Sequence, residues 1–246
     1  MKLRLALAAA ALAASAVTLA PASPEAVGQA ISDPSRPAAD RAADAHRLPY
    51  KTLVFSGVKG GDVVGEFLPG GGYYTRMLSD VVGPKGKVYA LETTRWGQQN
   101  IDATKAVLSE KGRENVKFDA SGFGAFNLPE PVDVFWTTLN YHDLHVAEYG
   151  KVDMAAFNKH VFESLKPGGT YFIVDHVANA GTDDAAIAKL HRIEKDTVVK
   201  EVTAAGFTLV AESAALHRTG DDHTKPVFDA SVRGKTDQFM LKFRKP

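Results

Sequence analysis

The sequence EFLPGGG, residues 66–72, is the most informative stretch of the chain. It follows the start of a short apolar run, residues 62–68, that has a pair of glycines before it and a proline and a glycine after it. Such a run is typical of a buried strand. A glycine-rich turn lets the backbone approach a ligand closely, and the helix predicted over residues 73–82 offers unpaired N–H groups beside it. An ordinary turn that uses glycine only to reverse the chain is the alternative.

An acidic residue follows at the spacing that a nucleotide-binding α/β unit uses. Glu92 ends a second predicted strand, residues 87–91, and stands 20 positions after Gly72. In such units an acidic side chain at about this distance hydrogen-bonds the ribose hydroxyls. An exposed acid at the end of a strand is the alternative.

Strands and helices alternate along the rest of the chain. The pattern predicts further strands at 116–118, 132–137, 170–174, 207–211 and 238–243, and helices at 98–111, 154–165 and 184–205. Such alternation indicates a mostly parallel sheet with helices on both faces. The last two strands have no obvious helix between them and predict an antiparallel hairpin at one edge.

The 66–72 stretch resembles the first motif of the class I S-adenosylmethionine-dependent methyltransferases. That motif is an acidic residue followed by glycines at alternate positions, which Glu66, Gly70 and Gly72 match, whereas Leu68 replaces the first glycine. The sequence LKPGGT, residues 165–170, resembles the family's turn before the fifth strand. The resemblance covers roughly residues 47–246 and implies a Rossmann-like α/β fold with a seven-stranded sheet. More narrowly, the chain resembles a group of predicted secreted bacterial methyltransferases.

The resemblance also implies a cofactor, S-adenosyl-L-methionine, and the residues that bind it. Glu66 would lie near the methionine end of the cofactor, Glu92 at the ribose and Asp119 near the adenine, where Ser121 and Phe123 are alternatives to Asp119. Tyr74 either shapes the cofactor pocket or packs in the core. The expected cofactor-binding residues are Glu66, Pro69, Gly70, Gly71, Gly72, Tyr74, Glu92, Asp119 and Asn140.

The sequence NYHDLH, residues 140–145, is the best candidate for chemistry. It leaves the carboxyl end of the fourth predicted strand, the edge at which open α/β sheets bind their ligands. A histidine accepts a proton near neutral pH, and a carboxylate can orient it. We therefore expect His142 or Asp143 to be catalytic, and His145 to start a helix or lie on the surface.

The chain's other histidines give weaker signals. We assign no metal ligand from the sequence; the alternative is a divalent-metal site of Asp143 with Asp175 and His176, as in catechol-type O-methyltransferases. His191 and Arg192 are expected on a solvated helix face, with Arg192 binding a substrate carboxylate as the alternative. His217 and His223 lie beside Asp221 and Asp222 in a loop that is a solvated turn, a lid or a surface metal site.

The N-terminus predicts export. Lys2 and Arg4 precede an apolar run at 5–20, and small residues at 20–22 mark a cleavage site, so residues 1–22 are expected to be a signal peptide. A retained membrane anchor is the alternative, but the run is short for a span of about 20 residues. We place the protein in the periplasm of a Gram-negative bacterium, or outside it.

The composition narrows the possible functions. After removal of the leader, 27 basic and 29 acidic residues remain, which predicts no nucleic-acid partner and no attraction to an anionic membrane. The absence of cysteine excludes disulfides, thiolate metal sites and a cysteine nucleophile.

We expect a flexible segment at 23–40 and one domain at 41–246. The expected activity is methyl transfer to a small-molecule acceptor; a non-catalytic binding protein is the alternative, and a nicotinamide-dependent oxidoreductase is a weaker one.

Overall fold

The structure, a computed structural model, describes residues 23–246, so the predicted signal peptide lies outside the described residues. The helices are α1 Pro24–Ser32, α2 Ala38–Arg47, α3 Pro49–Ser56, α4 Tyr73–Val82, α5 Gln98–Leu108, α6 Met154–Ser164, α7 Asp184–Leu190 and α8 Lys195–Ala204. The strands are β1 Val63–Phe67, β2 Lys87–Thr93, β3 Val116–Ser121, β4 Val132–Thr138, β5 Leu165–His176, β6 Thr208–Ser213 and β7 Gln238–Arg244. Within this part of the chain, none of the helices has both the length and the apolar composition of a membrane span.

The strands form one seven-stranded sheet in the order β3-β2-β1-β4-β5-β7-β6. β1 to β5 pair in parallel, whereas β7 runs antiparallel to β5 and to β6. The predicted fold class is therefore confirmed, including the antiparallel hairpin at one edge. The strand order reverses direction between β1 and β4, and this is where open α/β sheets bind ligands.

Side chains of the central strands alternate between two buried clusters, one on each face of the sheet. On β4, Phe135 belongs to the first cluster and Trp136 to the second; on β5, Tyr171 and Phe172 divide in the same way. α6, α7 and α8 contribute to the first cluster, and α1, α3 and α4 to the second. Because both faces are covered, the central strands carry almost continuous apolar sequence, which is why they were predictable.

The N-terminal segment corrects the sequence analysis, because residues 23–40 are not a flexible tail. The Ser23 hydroxyl accepts a hydrogen bond from the N–H of Ala26 and caps α1, and Pro24 occupies the first turn. Val27 and Ala30 are buried in the cluster that α4 also joins. The serine and proline that favoured disorder in the sequence are therefore helix-start residues.

The single helix predicted over residues 184–205 is also wrong, because the chain forms two helices there. His191 ends α7 in the left-handed conformation, with φ 54°, and Glu194 caps α8 in an extended one. Arg192 lies between them and is fully buried, so the predicted solvated helix face is wrong for this residue. Its guanidinium pairs with Asp221 at 2.8 and 3.0 Å. This pair compensates the positive charge that is buried where the chain breaks between α7 and α8.

Candidate functional site

A cavity of about 380 Å³ opens at the carboxyl ends of β1 and β4. Its lining includes six of the predicted cofactor-binding residues, namely Glu66, Pro69, Gly70, Gly71, Tyr74 and Asn140. Gly72, Glu92 and Asp119 do not line it. The β1 turn and the start of the 140–145 segment therefore meet at one edge of the sheet, as the parallel order requires.

Two leucines give this edge its backbone shape. Leu68 and Leu139 end β1 and β4 with φ of 56° and 62°, a left-handed conformation that favours glycine. The side-chain amide of Asn140 donates to the carbonyls of Leu68 and Thr138 at 3.1 and 2.8 Å and holds the two strand ends together. Leu68 therefore keeps the glycine-type conformation at the position where the resembling family has glycine.

The glycines of the turn differ in what surrounds them. Gly72 has a φ of 79°, and a Cβ added there would clash with Val107 Cγ2 on α5. Gly71 has open space around an added Cβ and a conformation that any residue adopts. Gly72 therefore serves the packing of α5 against the turn, whereas Gly71 keeps the cavity wall free of side chains.

Glu66 places a buried carboxyl in the cavity wall. The hydroxyl of Thr75 on α4 donates to Glu66 Oε2 at 2.6 Å. Burial raises the pKa of Glu66 to about 7 against that hydrogen bond, and the neighbouring Glu92 adds to the rise. The side chain therefore changes charge near neutral pH and would favour a cationic ligand group.

Glu92 and Asp119 lie further along the same edge, on β2 and β3. Glu92 is buried; Thr104 on α5 donates to its Oε2 at 3.1 Å, and the N–H of Thr93 donates to its Oε1 at 2.8 Å. Asp119 accepts hydrogen bonds from Ser121 Oγ at 2.9 Å and from the N–H of Asn127 at 3.2 Å. Both carboxylates therefore have partners within the protein, and their roles toward a cofactor stay predictions.

His142 is buried, and both of its ring nitrogens have carboxylate partners. Nδ1 lies 2.7 Å from Asp175 Oδ1, and Nε2 lies 3.2 Å from Asp143 Oδ1. Burial alone would lower the pKa of His142, but Asp175 and Asp143 outweigh it and raise the pKa to about 10. Both ring nitrogens of His142 are therefore engaged within the protein, and its catalytic role stays a prediction.

Asp143 connects two histidines. Its Oδ1 also lies 3.2 Å from His191 Nδ1, and that ring stacks edge-on against the exposed Phe228. Burial alone would raise the pKa of Asp143, but the hydrogen bonds with His142 and His191 hold it below its ordinary value. Asp143 is therefore an ionised carboxylate one short turn beyond Asn140.

Solved structures with the same architecture include several methyltransferases. A methyltransferase from Aquifex aeolicus that depends on S-adenosylmethionine (SAM) matches with a TM-score of 0.57 and 19% identity, over 91% of this chain and 99% of that one. A SAM-dependent methyltransferase from Mesorhizobium loti matches with a TM-score of 0.53 and 15% identity, over 83% and 99%. Aeropyrum pernix fibrillarin with natively bound SAM matches with a TM-score of 0.52 and 15% identity, over 82% and 76%. No protein-family model matches the sequence, and a search of curated proteins gives no significant match.

The chain has the class I methyltransferase fold. In this fold the cavity described above lies at the first motif, whose acidic residue and glycines the sequence supplied.

Helix α2 adds residues to the methyltransferase-fold cavity that the sequence analysis missed. Asp40, Ala43 and Arg47 line it. The Arg47 guanidinium lies 4.4 Å from the ring centre of Tyr73, and Arg76 on α4 links Asp40 to the Gly71 carbonyl at 3.0 and 2.9 Å. The helix-forming composition of residues 38–47 was visible in the sequence, but its position over the first motif depends on tertiary contacts.

The remaining histidines and aspartates that the sequence singled out pair with other groups of the protein. Asp175 and His176 do not join Asp143, because Asp175 binds His142 and His176 Nδ1 pairs with the Thr236 hydroxyl at 2.8 Å. His145 stands in a short 3₁₀ turn, mostly buried, and contacts Asp184 and Glu201. The loop histidines His217 and His223 share Asp237, at 3.0 Å each.

Proposed function

We propose that this protein is a SAM-dependent methyltransferase. The observation that carries the proposal is the cavity between the ends of β1 and β4, with the buried carboxyl of Glu66 and the bare backbone of Gly71 in its wall. A carboxylate at this position suits the ammonium group at the methionine end of the cofactor. The volume of the cavity, about 380 Å³, lies in the ordinary range for small-ligand sites, about 300–1,000 Å³.

The ribose end of the cofactor requires one local change. The single hydroxyl proton of Thr104 has Glu92 Oε2 and the Gly70 carbonyl as alternative acceptors, at 3.1 and 2.9 Å. We expect a ribose hydroxyl that binds Glu92 to replace Thr104 as its donor, while Thr104 donates to the Gly70 carbonyl instead. SAM supplies an activated methyl group, so the chain's residues bind the cofactor and align the acceptor.

We propose a small-molecule acceptor and a periplasmic site of action. The charge balance gives no electrostatic reason for a nucleic-acid partner. The leader-like N-terminus supports export. N-terminal sequencing of the protein from a periplasmic extract tests this location, with a start near Ser23 expected; an intact Met1 in the cytosol would contradict it.

A non-catalytic SAM-binding protein is the second candidate function. It is favoured by His142, because both ring nitrogens are engaged and the loop therefore lacks a free histidine base. Incubation with methyl-labelled SAM and an extract of periplasmic metabolites separates the two candidates. Transfer of label supports the enzyme, whereas cofactor binding without transfer to any acceptor supports the binding protein.

Calorimetry on the mature protein tests whether it binds the cofactor. SAM and its demethylated product should bind, and NAD should not. Gly71→Leu should abolish binding without loss of fold, because an added side chain meets open space in the protein but occupies the cavity wall. Gly220→Leu is the matched control, since Gly220 is also exposed and has open space around an added Cβ.

Absence of binding to either form of the cofactor by wild-type protein would overturn the proposal. Equal binding by wild-type and Gly71→Leu proteins would instead show that the ligand binds outside this cavity. Circular dichroism of each variant verifies that the sheet is intact.

A further inference from the structure

Three side chains that no cofactor role uses converge beside the cavity. His142 Nε2 and His191 Nδ1 each lie 3.2 Å from the same oxygen, Asp143 Oδ1. In residues 23–246, this is the one group of three histidine or carboxylate side chains whose ligand atoms all lie within 4.8 Å of one another. His142 and Asp143 are buried, and His191 is partly exposed.

We propose that His142, Asp143 and His191 bind a divalent transition-metal ion of the zinc class. Two imidazoles and one carboxylate form a common three-ligand set for such ions and leave coordination positions open. Metal–ligand bonds of about 2.0–2.2 Å at tetrahedral angles put two ligand atoms about 3.3–3.6 Å apart. The two separations of 3.2 Å from Asp143 Oδ1 lie within about 0.1 Å of the lower end of that range and exceed the length of a strong charge-assisted hydrogen bond, about 2.7–2.9 Å.

The surroundings of His142 fit a ligand of this kind. A metal-binding histidine usually donates its other ring N–H to a carboxylate, which fixes the tautomer and the direction of the ring. Asp175 is fully buried and accepts from His142 twice, from Nδ1 at 2.7 Å and from the backbone N–H at 2.8 Å. Nε2 is thereby directed toward Asp143 and His191.

The site is open on one side. His191 lines a surface depression of about 400 Å³ together with Tyr149 and Lys189. Solvent and small molecules therefore reach the histidine that completes the ligand set. Asp143 is three residues beyond Asn140, whose side chain lines the cofactor cavity, so the Cα atoms of these two residues are at most about 11 Å apart.

This position gives the ion a role that rests on the proposed methyltransferase function. A metal-bound hydroxyl loses its proton more easily than a free one, because the cation stabilises the oxyanion. The ion would therefore hold and activate a hydroxyl acceptor beside the methyl donor. The loop then needs no free histidine base, which agrees with the engagement of both His142 nitrogens.

Calorimetry with ZnCl₂ on tag-free, chelator-treated protein tests the site. Wild-type protein should bind one equivalent, and Mg²⁺ should not compete, because it prefers oxygen ligands. His191→Gly and Asp143→Asn should weaken binding by at least about 100-fold, the upper end of what loss of a supporting partner costs. Glycine suits the left-handed backbone of His191, so the variant removes the imidazole without strain.

His223→Gly is the matched control, because His223 is also left-handed, with φ 62°, and lies outside the three-residue group. It should bind zinc like wild type. The proposal is overturned if wild-type protein does not bind zinc, if Mg²⁺ displaces it, or if His191→Gly and Asp143→Asn bind as wild type does. Binding of the demethylated cofactor by the same zinc-free proteins reports fold and cofactor site separately, so a failure of the metal site is distinguishable from a failure of the methyltransferase proposal.

Discussion

Glu66 makes the charge of the cavity at the ends of β1 and β4 depend on pH. Its carboxyl is buried, and its pKa of about 7 lies well above the ordinary 4.5. In the unfolded chain the group ionises at the ordinary value, so between about pH 4.5 and pH 7 the folded protein holds a proton that the unfolded chain has lost. The free energy of unfolding therefore falls as pH rises through this range, and the cost persists above it.

Glu66→Gln should remove that dependence. At about pH 8 the variant should be more stable than wild type by roughly 3 kcal/mol, because each pKa unit corresponds to about 1.4 kcal/mol. Near the lower end of the range the two should agree, since wild-type Glu66 is then neutral. Urea unfolding across the pH series measures the difference. Glu163→Gln is the control, because Glu163 is exposed, and it should leave the pH dependence of stability unchanged. An unchanged pH dependence in Glu66→Gln would contradict the raised pKa of the buried Glu66 carboxyl.

Individual residues of the site differed in how far the sequence could predict them. Glu66, Gly70 and Gly71 were predictable because the motif fixes their order, and a parallel sheet puts the turn at the ligand-binding edge. The effect of Leu68 was not predictable. A leucine with positive φ costs about 1–2 kcal/mol. Only the folded structure shows that the side-chain amide of Asn140 donates a hydrogen bond to the Leu68 carbonyl and so links the two strand ends.

At the scale of elements, the packing of α5 against the start of α4 constrains the glycine-rich turn. Gly72 begins α4, and Val107 on α5 occupies the space that a side chain at Gly72 would need. Gly71, one residue earlier, has no such neighbour. Glycine is therefore needed for a different physical reason at each of these two neighbouring positions.

Gly72→Ala should destabilise the protein by about 2–3 kcal/mol, from overpacking and from the positive φ. Gly71→Ala should change stability by less than about 0.5 kcal/mol. Urea unfolding of both variants, with and without Val107→Ala, and of Val107→Ala alone measures this contact. The double variant Gly72→Ala/Val107→Ala should lose less free energy of unfolding than the two single variants lose together, because alanine at position 107 makes room for the new methyl group. Additive costs would show that steric contact with Val107 is not the cause.

Element boundaries were predictable where the chain marks them locally. α4 ends at Val82, before the glycine and proline at 83–84, and β7 forms where the apolar run at 238–243 predicts a strand. The break between α7 and α8 has no such mark. His191 and Arg192 are ordinary helix residues in isolation, and only their partners Asp143 and Asp221, distant in sequence, stabilise a left-handed residue and a buried guanidinium there.

At the scale of the whole molecule, a buried ion pair joins the long segment between β6 and β7, residues 214–237, to the rest of the protein. Arg192 and Asp221 are both nearly inaccessible, and the guanidinium also donates to the carbonyls of Lys225 and Val177 at 2.9 and 3.1 Å. The same segment carries Phe228, whose ring contacts His191. The ion pair and the Phe228 contact therefore both connect this segment to the region around His191.

Arg192→Met should destabilise the protein by about 3–5 kcal/mol, because it leaves the Asp221 carboxylate buried without its charged partner. Before global unfolding, hydrogen exchange followed by mass spectrometry should become faster in peptides from residues 214–237, while peptides from β1 and α4 keep their protection. Lys195→Met, which removes an exposed pair with Glu212, is the control and should change stability by less than about 1 kcal/mol. Equal acceleration in β1 and in the 214–237 segment would mean that the pair stabilises the sheet as a whole. The segment would then not be a separate unit that Arg192 holds over His191.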